Sequence, residues 1–427
     1  MAKIHFREIE GRSRGYLALL AGLLFLVGLG LLAALLKGTH GHYITGMNNQ
    51  VVWGVPHIFA ILLIVAASGA LNAASFASVF GRVTYKPLSR LSGLLAMTLL
   101  IGGLIILVLD LGRPDRLIVA MTQYNFKSIF AWNIFLYTGF LTIVAVYLWF
   151  QMEKRMQPLV VYAGYSAFLW RLILTTGTGS IFGFLVAREA YDTAVLAPIF
   201  IALSFALGMA VFILVVMALF QGTGRPLGDL VLQRMKNLLA IFIGALLYFV
   251  VVYHLTNLYA TRLHGIERFV LVDGGIYTFL FWVVQLLLGS FLPLFLLFHP
   301  VFSRSRRIIA AACGLVIVGA FAQLYVIIIG GQAYPLDLFP GYDMTSSFYD
   351  GVVAGYAPSL PEWMLGIGGV GLSFLLFTLA ITFLKFTPMS LEDAQVDPEH
   401  AAKAATDLGA AAQSAASAGA TTRAANA

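Results

Sequence analysis

The stretch "SGLLAMTLLIGGLIILVLDLGRPDR", residues 92–116, decides how this chain is read. Residues 92–109 carry no charge, and Asp110, Arg113, Asp115 and Arg116 then crowd into seven positions. An uninterrupted run of about 20 apolar residues crosses roughly 30 Å of hydrocarbon as a helix. Gly112 and Pro114 stop such a helix and turn the chain. An oily segment that ends on alternating acids and bases has reached a water boundary.

The rest of the chain has the same character. Of 427 residues, 60% are hydrophobic and 11% charged, against about 25% charged in soluble domains. Mean hydropathy is +0.91. Ten candidate spans emerge, at about 16–36, 55–79, 88–109, 128–150, 158–187, 194–220, 237–260, 272–298, 308–330 and 362–386. They are continuously apolar rather than alternating, which excludes a closed barrel. The basic flank "KIHFREIEGRSR" resembles that of a signal peptide, but the apolar run behind it is too long, and an uncleaved helix is expected.

The fold expected is therefore an all-α polytopic membrane protein with ten transmembrane helices. Spans two to five and six to nine start on the same side, as two parallel four-helix bundles with one flanking helix at each end. Residues 1–15 form the N-terminus and 16–386 the membrane domain. The Ala-rich stretch 387–427, poor in large apolar side chains, is expected to be a disordered tail.

Lysine and arginine set the direction. With the N-terminus inside, inner segments carry 18 of the 26 and outer loops carry 7, with Arg171 inside the fifth span. This satisfies the positive-inside rule and puts both termini in the cytoplasm and the protein in a bacterial inner (plasma) membrane. The net charge of +7 reflects that sidedness and lipid headgroups, and no nucleic-acid partner is expected. "LDLGRPDR" then lies on the outer face. The single cysteine, Cys313, excludes a disulfide framework and a CxxC metal or iron–sulfur motif. "TTGTGS" and "QGTGRP" lack the strand context and the lysine of a phosphate loop.

Polar groups within the spans carry the candidate chemistry. His57, in "NNQVVWGVPHIF", and His254, in "LYFVVVYHLTNLY", both fall near the outer boundary. Interfacial anchoring is one reading. Hydrogen bonding to a quinone carbonyl is the other, since an imidazole both donates and relays a proton. Asn257 lies one turn after His254.

Arg171, near the centre of its span, is the costliest residue of the chain. On a helical period it shares a face with Thr175 and Thr178. It is either an arginine satisfied by backbone carbonyls at a helix break or part of a hydrated strip leading to the outer face, and the strip is the expectation. Outer-loop charges such as Arg262, His264, Glu267 and Arg268 read singly as solvated. The longest outer segment, about 331–361, holds Asp337, Asp343 and Asp350 with no lysine or arginine. Together with Asp115 and Arg116 it suits docking of a protein partner.

Two other classes compete. A secondary transporter for a sulfur oxyanion could use Arg171 at the midplane. A cytochrome could hold haem b between His57 and His254, one haem at most, and this is disfavoured.

The second span begun by "WGVPHIF", the patch "ASGALNAAS", the third span ending "DLGRPDR" and the following "FKSIFAWNIFLY" resemble the NrfD/PsrC family, most nearly its DsrP type from sulfur-metabolism complexes. The likeness covers about 16–386. It implies a quinone-interacting subunit that is not catalytic alone, with menaquinone or ubiquinone as substrate and no iron–sulfur cluster of its own. The partner implied is a periplasmic ferredoxin-like iron–sulfur subunit, with cytochrome c and other membrane or cytoplasmic redox subunits as further candidates. By matching position His57, Asp110 and Arg113 would line or brace the quinone pocket. Asp110 would exchange the proton, Arg113 would keep Asp110 ionised and His57 would bond a quinone oxygen; Arg171, which matches no family motif, would by its own chemistry stabilise anionic quinone or water.

Overall fold

The computed structural model describes residues 5–336 and 351–397. Among these, ten helices are long and apolar enough to cross a membrane: Arg14–His40, Val55–Ser78, Val83–Asp110, Ile129–Met152, Lys154–Gly183, Leu196–Thr223, Asp229–Tyr259, Ile276–Phe298, Arg306–Ala333 and Leu360–Phe383. They are numbered here as spans 1 to 10. Each expected span is present, and the differences lie at the ends. Span 1 runs on through Lys37 to His40, and span 7 begins at Asp229 rather than 237. Hydropathy marks only the oily part of a helix, whereas backbone hydrogen bonds carry the helix into the headgroup layer.

The two four-helix bundles are present. Span 2 packs along span 3 and span 4 along span 5, with 3 against 4 and 2 against 5 closing the first bundle. Spans 6 to 9 repeat the arrangement. The bundles meet where spans 2 and 5 lie along span 6, and span 2 is almost wholly buried. Spans 1 and 10, from opposite ends of the sequence, pack on each other, and span 10 lies against spans 2 and 3.

Small residues allow these crossings, as in other membrane bundles where packing rather than a hydrophobic driving force joins helices. A Cβ on Gly208 would run into the backbone of Gly69 and Ala70, so spans 2 and 6 touch backbone to backbone. Gly30 and Gly368 play the same part between spans 1 and 10. Span 2 is interrupted once, at Leu71, between the helices Val55–Ala70 and Asn72–Ser78.

Both ends of the described chain lie on one face. There Phe6–Arg7 pairs antiparallel with Thr387–Pro388. Arg225 donates to the carbonyls of Thr387 and Pro388 at 3.2 Å and of Glu8 at 2.9 Å, and Arg234 pairs with Asp397 at 2.9 Å. Composition assigned the whole of 387–427 to a disordered tail, but residues 387–397 are ordered by this main-chain pairing and these arginines. Residues 398–427 lie outside the described residues. The opposite face, with the C-terminal end of span 3, is called distal below.

Candidate functional site

At the distal face span 2 begins with Pro56 in its first turn, where a missing N–H leaves nothing unpaired and the fixed φ favours helix. The start of this helix is pinned from three sides. Val55 N–H donates to Tyr356 Oη at 2.8 Å, and Tyr356 donates to Glu362 Oε1 at 2.8 Å. Glu362 Oε2 accepts from the backbone of Gly46 at 2.9 Å and of Ser359 at 2.7 Å. Ser359 and Glu362 together form the capping box of span 10. Gln332, at the end of span 9, accepts from Val52 and Trp53 N–H at 2.9 and 3.0 Å. Arg188 holds Gln332 in turn, through its carbonyl, at 2.6 Å.

His57 is thus carried on a rigid helix start, and Asp110 meets it from the last residue of span 3. Asp110 Oδ2 lies 3.2 Å from His57 Nδ1, in contact but outside hydrogen-bond alignment. Asp110 Oδ1 accepts from Lys37 Nζ of span 1. The side chains of Lys37 and Asp110 are 3% and 2% exposed, whereas His57 is 22% exposed. The imidazole alone of the three therefore reaches from the buried ion pair to the protein surface. Beside it Trp53 gathers His57, Phe130 and Phe182, with ring centroids 6.5, 6.0 and 5.7 Å away. His42, in the turn after span 1, is pushed below its ordinary value by burial and by the charge of Lys37, which keeps it neutral at pH 7.

The structure joins His57 to Asp110 but gives Arg113 another partner. Arg113 forms a bidentate pair with Asp115 at 3.0 and 2.8 Å, out in solvent. The hydrogen bond and charge of Arg113 hold the Asp115 carboxyl below the usual range. The cation beside Asp110 is Lys37, which hydropathy had placed in a loop. Span 3 ends at Asp110 and the chain leaves it extended at Leu111, so adjacency in sequence does not bring Arg113 back to the carboxylate. Arg113→Ala is expected to leave the thermal midpoint of the solubilised chain unchanged, and Lys37→Ala to lower it. Equal shifts in a melting series would reverse the assignment.

Arg171 is also placed differently. It donates to Ser68 O at 3.1 Å and Asn72 Oδ1 at 2.8 Å, on either side of the Leu71 interruption. The Phe168 and Phe205 rings flank its guanidinium at 5.1 and 4.8 Å. Thr175 is bonded to Ser68 Oγ at 2.7 Å, and Thr178 donates to Leu174 O at 2.9 Å; both are fully buried. These bonds tie the guanidinium to the break in span 2, while Arg171 Nε is buried without a hydrogen-bond partner among the described residues. The threonines turn inward because spans 2 and 4 cover that face of span 5.

His254 forms a separate cluster in the second bundle. Its Nδ1 lies 2.7 Å from Glu267 Oε2, and Asn257 Nδ2 donates to Glu267 Oε1 at 2.7 Å. Glu267, read from sequence as solvated, is 1% exposed, because the short helix His264–Arg268 folds it back onto span 7. His57 and His254 each face a carboxylate, in different bundles.

Of the residues expected to dock a partner, Asp115 and Arg116 are exposed on the distal face, and Asp337, Asp343 and Asp350 lie outside the described residues. Sequence reasoning missed Lys37, Glu362, Tyr356 and Gln332. Two signals were available: a lysine within a turn of an apolar run in so weakly charged a chain, and the Ser359–Glu362 spacing of a capping box.

Comparison with known proteins bears on this geometry. Residues 43–335 match the family described as Polysulphide reductase, NrfD. An Hdr-like menaquinol oxidoreductase integral membrane subunit of Archaeoglobus fulgidus is 29% identical, over 90% of this chain and 97% of its own length. A selenate reductase subunit of Mesobacillus selenatarsenatis is 23% identical, over 84% and 91%. A menaquinone reductase integral membrane subunit of Nitratidesulfovibrio vulgaris is 22% identical, over 86% and 90%.

Proposed function

We propose, because the chain belongs to the NrfD polysulphide reductase family, that it is the quinone-reactive membrane subunit of a multi-subunit redox complex and that its quinone site is the His57–Asp110–Lys37 array. The substrate inferred is menaquinone, the quinone named in two of its relatives. One observation carries the reading. A buried carboxylate, neutralised by a buried lysine, touches the inner nitrogen of an imidazole whose ring reaches the protein surface beside Trp53.

Interconversion of quinone and quinol moves two electrons and two protons. The chain's own residues account for protons and orientation. His57 offers Nε2 to a quinone oxygen while Nδ1 faces Asp110, so a proton gained at one nitrogen is balanced by the carboxylate at the other. Lys37 keeps Asp110 ionised between transfers, since a lone buried carboxylate would otherwise neutralise itself by binding a proton. Glu362 and Gln332, by fixing the start of span 2, hold His57 in register with Asp110. Apolar side chains after Asp110, with Leu111, Ile118 and Val119 exposed, offer the isoprenoid chain a way in from lipid. Placed by the positive-inside rule, the site faces outward and both termini are cytoplasmic. The electron partner is then an iron–sulfur subunit on the distal face, met by Arg113, Asp115 and Arg116, and the complex serves sulfur metabolism as in the DsrP type.

His57→Phe tests the assignment. In the assembled complex, quinol-linked electron transfer is expected to fall about 10²–10⁴-fold, the usual contribution of one general acid–base group. Reaction of the partner subunits with a soluble artificial dye should not change. Wild-type quinol turnover in the variant would remove His57 from the site.

A further inference from the structure

Within the second bundle lies a partly open cavity of about 40 Å³ that the reading above does not use. All four of its spans contribute: Leu196 and Ile199 from span 6, Tyr253 and His254 from span 7, Gln285 from span 8 and Gln323 from span 9. Most of the lining is apolar, so the polar groups stand out. Gln285 and Gln323 are 6% and 3% exposed, and their side-chain amides make no hydrogen bond to another described residue. A buried amide without a partner is costly, and these two face the cavity. His254 turns Nδ1 to Glu267, and its Nε2 likewise has no partner among the described residues. Tyr253 is already committed, donating to Ala190 O at 3.1 Å.

The local backbone fits a site rather than a packing fault. Leu280–Phe291, which carries Gln285, is π-helical, as are Val326–Gly330 and Phe269–Asp273, which carry the lining residues Val326, Ile327 and Val270. Such wide turns are uncommon and cluster at functional sites. Size selects the ligand. A water needs about 10–15 Å³ of such volume and two to four polar partners, so the cavity takes about three waters, and a quinone ring does not fit.

We propose that the second bundle holds an internal proton site, in which cavity water bonded to Gln285 and Gln323 reaches the His254–Glu267 pair and exchanges a proton with it. A proton that reaches the cavity water as hydronium passes to His254 Nε2, leaving neutral water, and returns by the reverse step. Only O–H and N–H bonds form and break, and no electrons move. The positive charge gained by the imidazole is balanced by Glu267, itself held by Asn257 at 2.7 Å. The titratable groups facing His254 are Glu267 from the short helix His264–Arg268 and Tyr253 from its own helix; spans 8 and 9 present glutamines. The site stands on its own geometry and does not depend on His57.

The test uses the full chain in lipid nanodiscs, with nitrogen-15 at histidine rings and glutamine amides, read by solid-state NMR at neutral pH. The expected result is a doubly protonated, hydrogen-bonded imidazole that receives magnetisation from water, with the Gln285 and Gln323 amides showing the same water contact. Glu267→Gln should shift that ring to the neutral form, and Gln285→Leu with Gln323→Leu should abolish its water contact. A neutral His254 in the wild type, or glutamine amides dry to water, would overturn the proposal. Those two readings come from wild-type protein, so they decide the matter even if a variant fails to fold.

Discussion

Asp110→Asn is expected to abolish measurable quinol turnover in the assembled complex and to destabilise the membrane subunit at the same time. The activity loss follows from the role proposed for the carboxylate: an amide can neither take a proton nor balance a charge on His57, a change on the order of 10²–10⁴-fold. The stability loss has a different cause. Lys37 is 3% exposed, and removing its partner leaves a buried ammonium uncompensated, which costs about 3–5 kcal/mol. The two effects separate in the double variant Lys37→Met with Asp110→Leu. Replacing both members of a buried pair by apolar groups is often neutral or stabilising, so this protein should melt near the wild-type temperature yet stay inactive. Thermal unfolding followed beside quinol oxidation decides between outcomes. An active double variant would show that the ion pair serves only the fold.

Gly208→Leu should prevent the two bundles from docking. At the crossing of spans 2 and 6 the obstruction to a side chain is the backbone of Gly69 and Ala70, not the tip of a movable group. Overpacking of a core typically costs about 1–3 kcal/mol where side chains can give way, and here neither helix can yield without moving its bundle. Loss of monodisperse protein on size exclusion is the expected readout. Gly244 is the control, because nothing lies within 4 Å of a Cβ built there. Gly244→Ala should fold normally, gaining about 0.8–1.0 kcal/mol of helix propensity. A well-behaved Gly208→Leu protein would mean that the bundles meet elsewhere.

The candidate site was legible in sequence only in part. His57 and Asp110 stood out as polar groups at span ends in a chain that spends charge sparingly, and they meet. The error lay in seeking the partner of Asp110 nearby. Arg113 is three residues away but lies beyond the helix end, where the chain runs out extended from Leu111, whereas Lys37 is 73 positions away and is brought to the carboxylate by the seating of span 1. Arg171 shows the same limit from the other side. Its helical face was predicted from spacing, but whether that face meets water or another helix depends on what packs against it. Ser68 and Asn72, on either side of the interruption in span 2, meet the guanidinium there.

What the sequence by itself determined is the membrane class, the ten spans and the division into two four-helix units. These depend on the length and composition of contiguous segments, because hydrocarbon thickness sets a local requirement on each helix. What only the tertiary structure decided is which charges are partners. Helix ends distant in sequence meet according to small-residue crossings such as Gly69 with Gly208 and Gly30 with Gly368, and in a low-dielectric interior a charge must be neutralised by whatever group those crossings bring within a few ångströms.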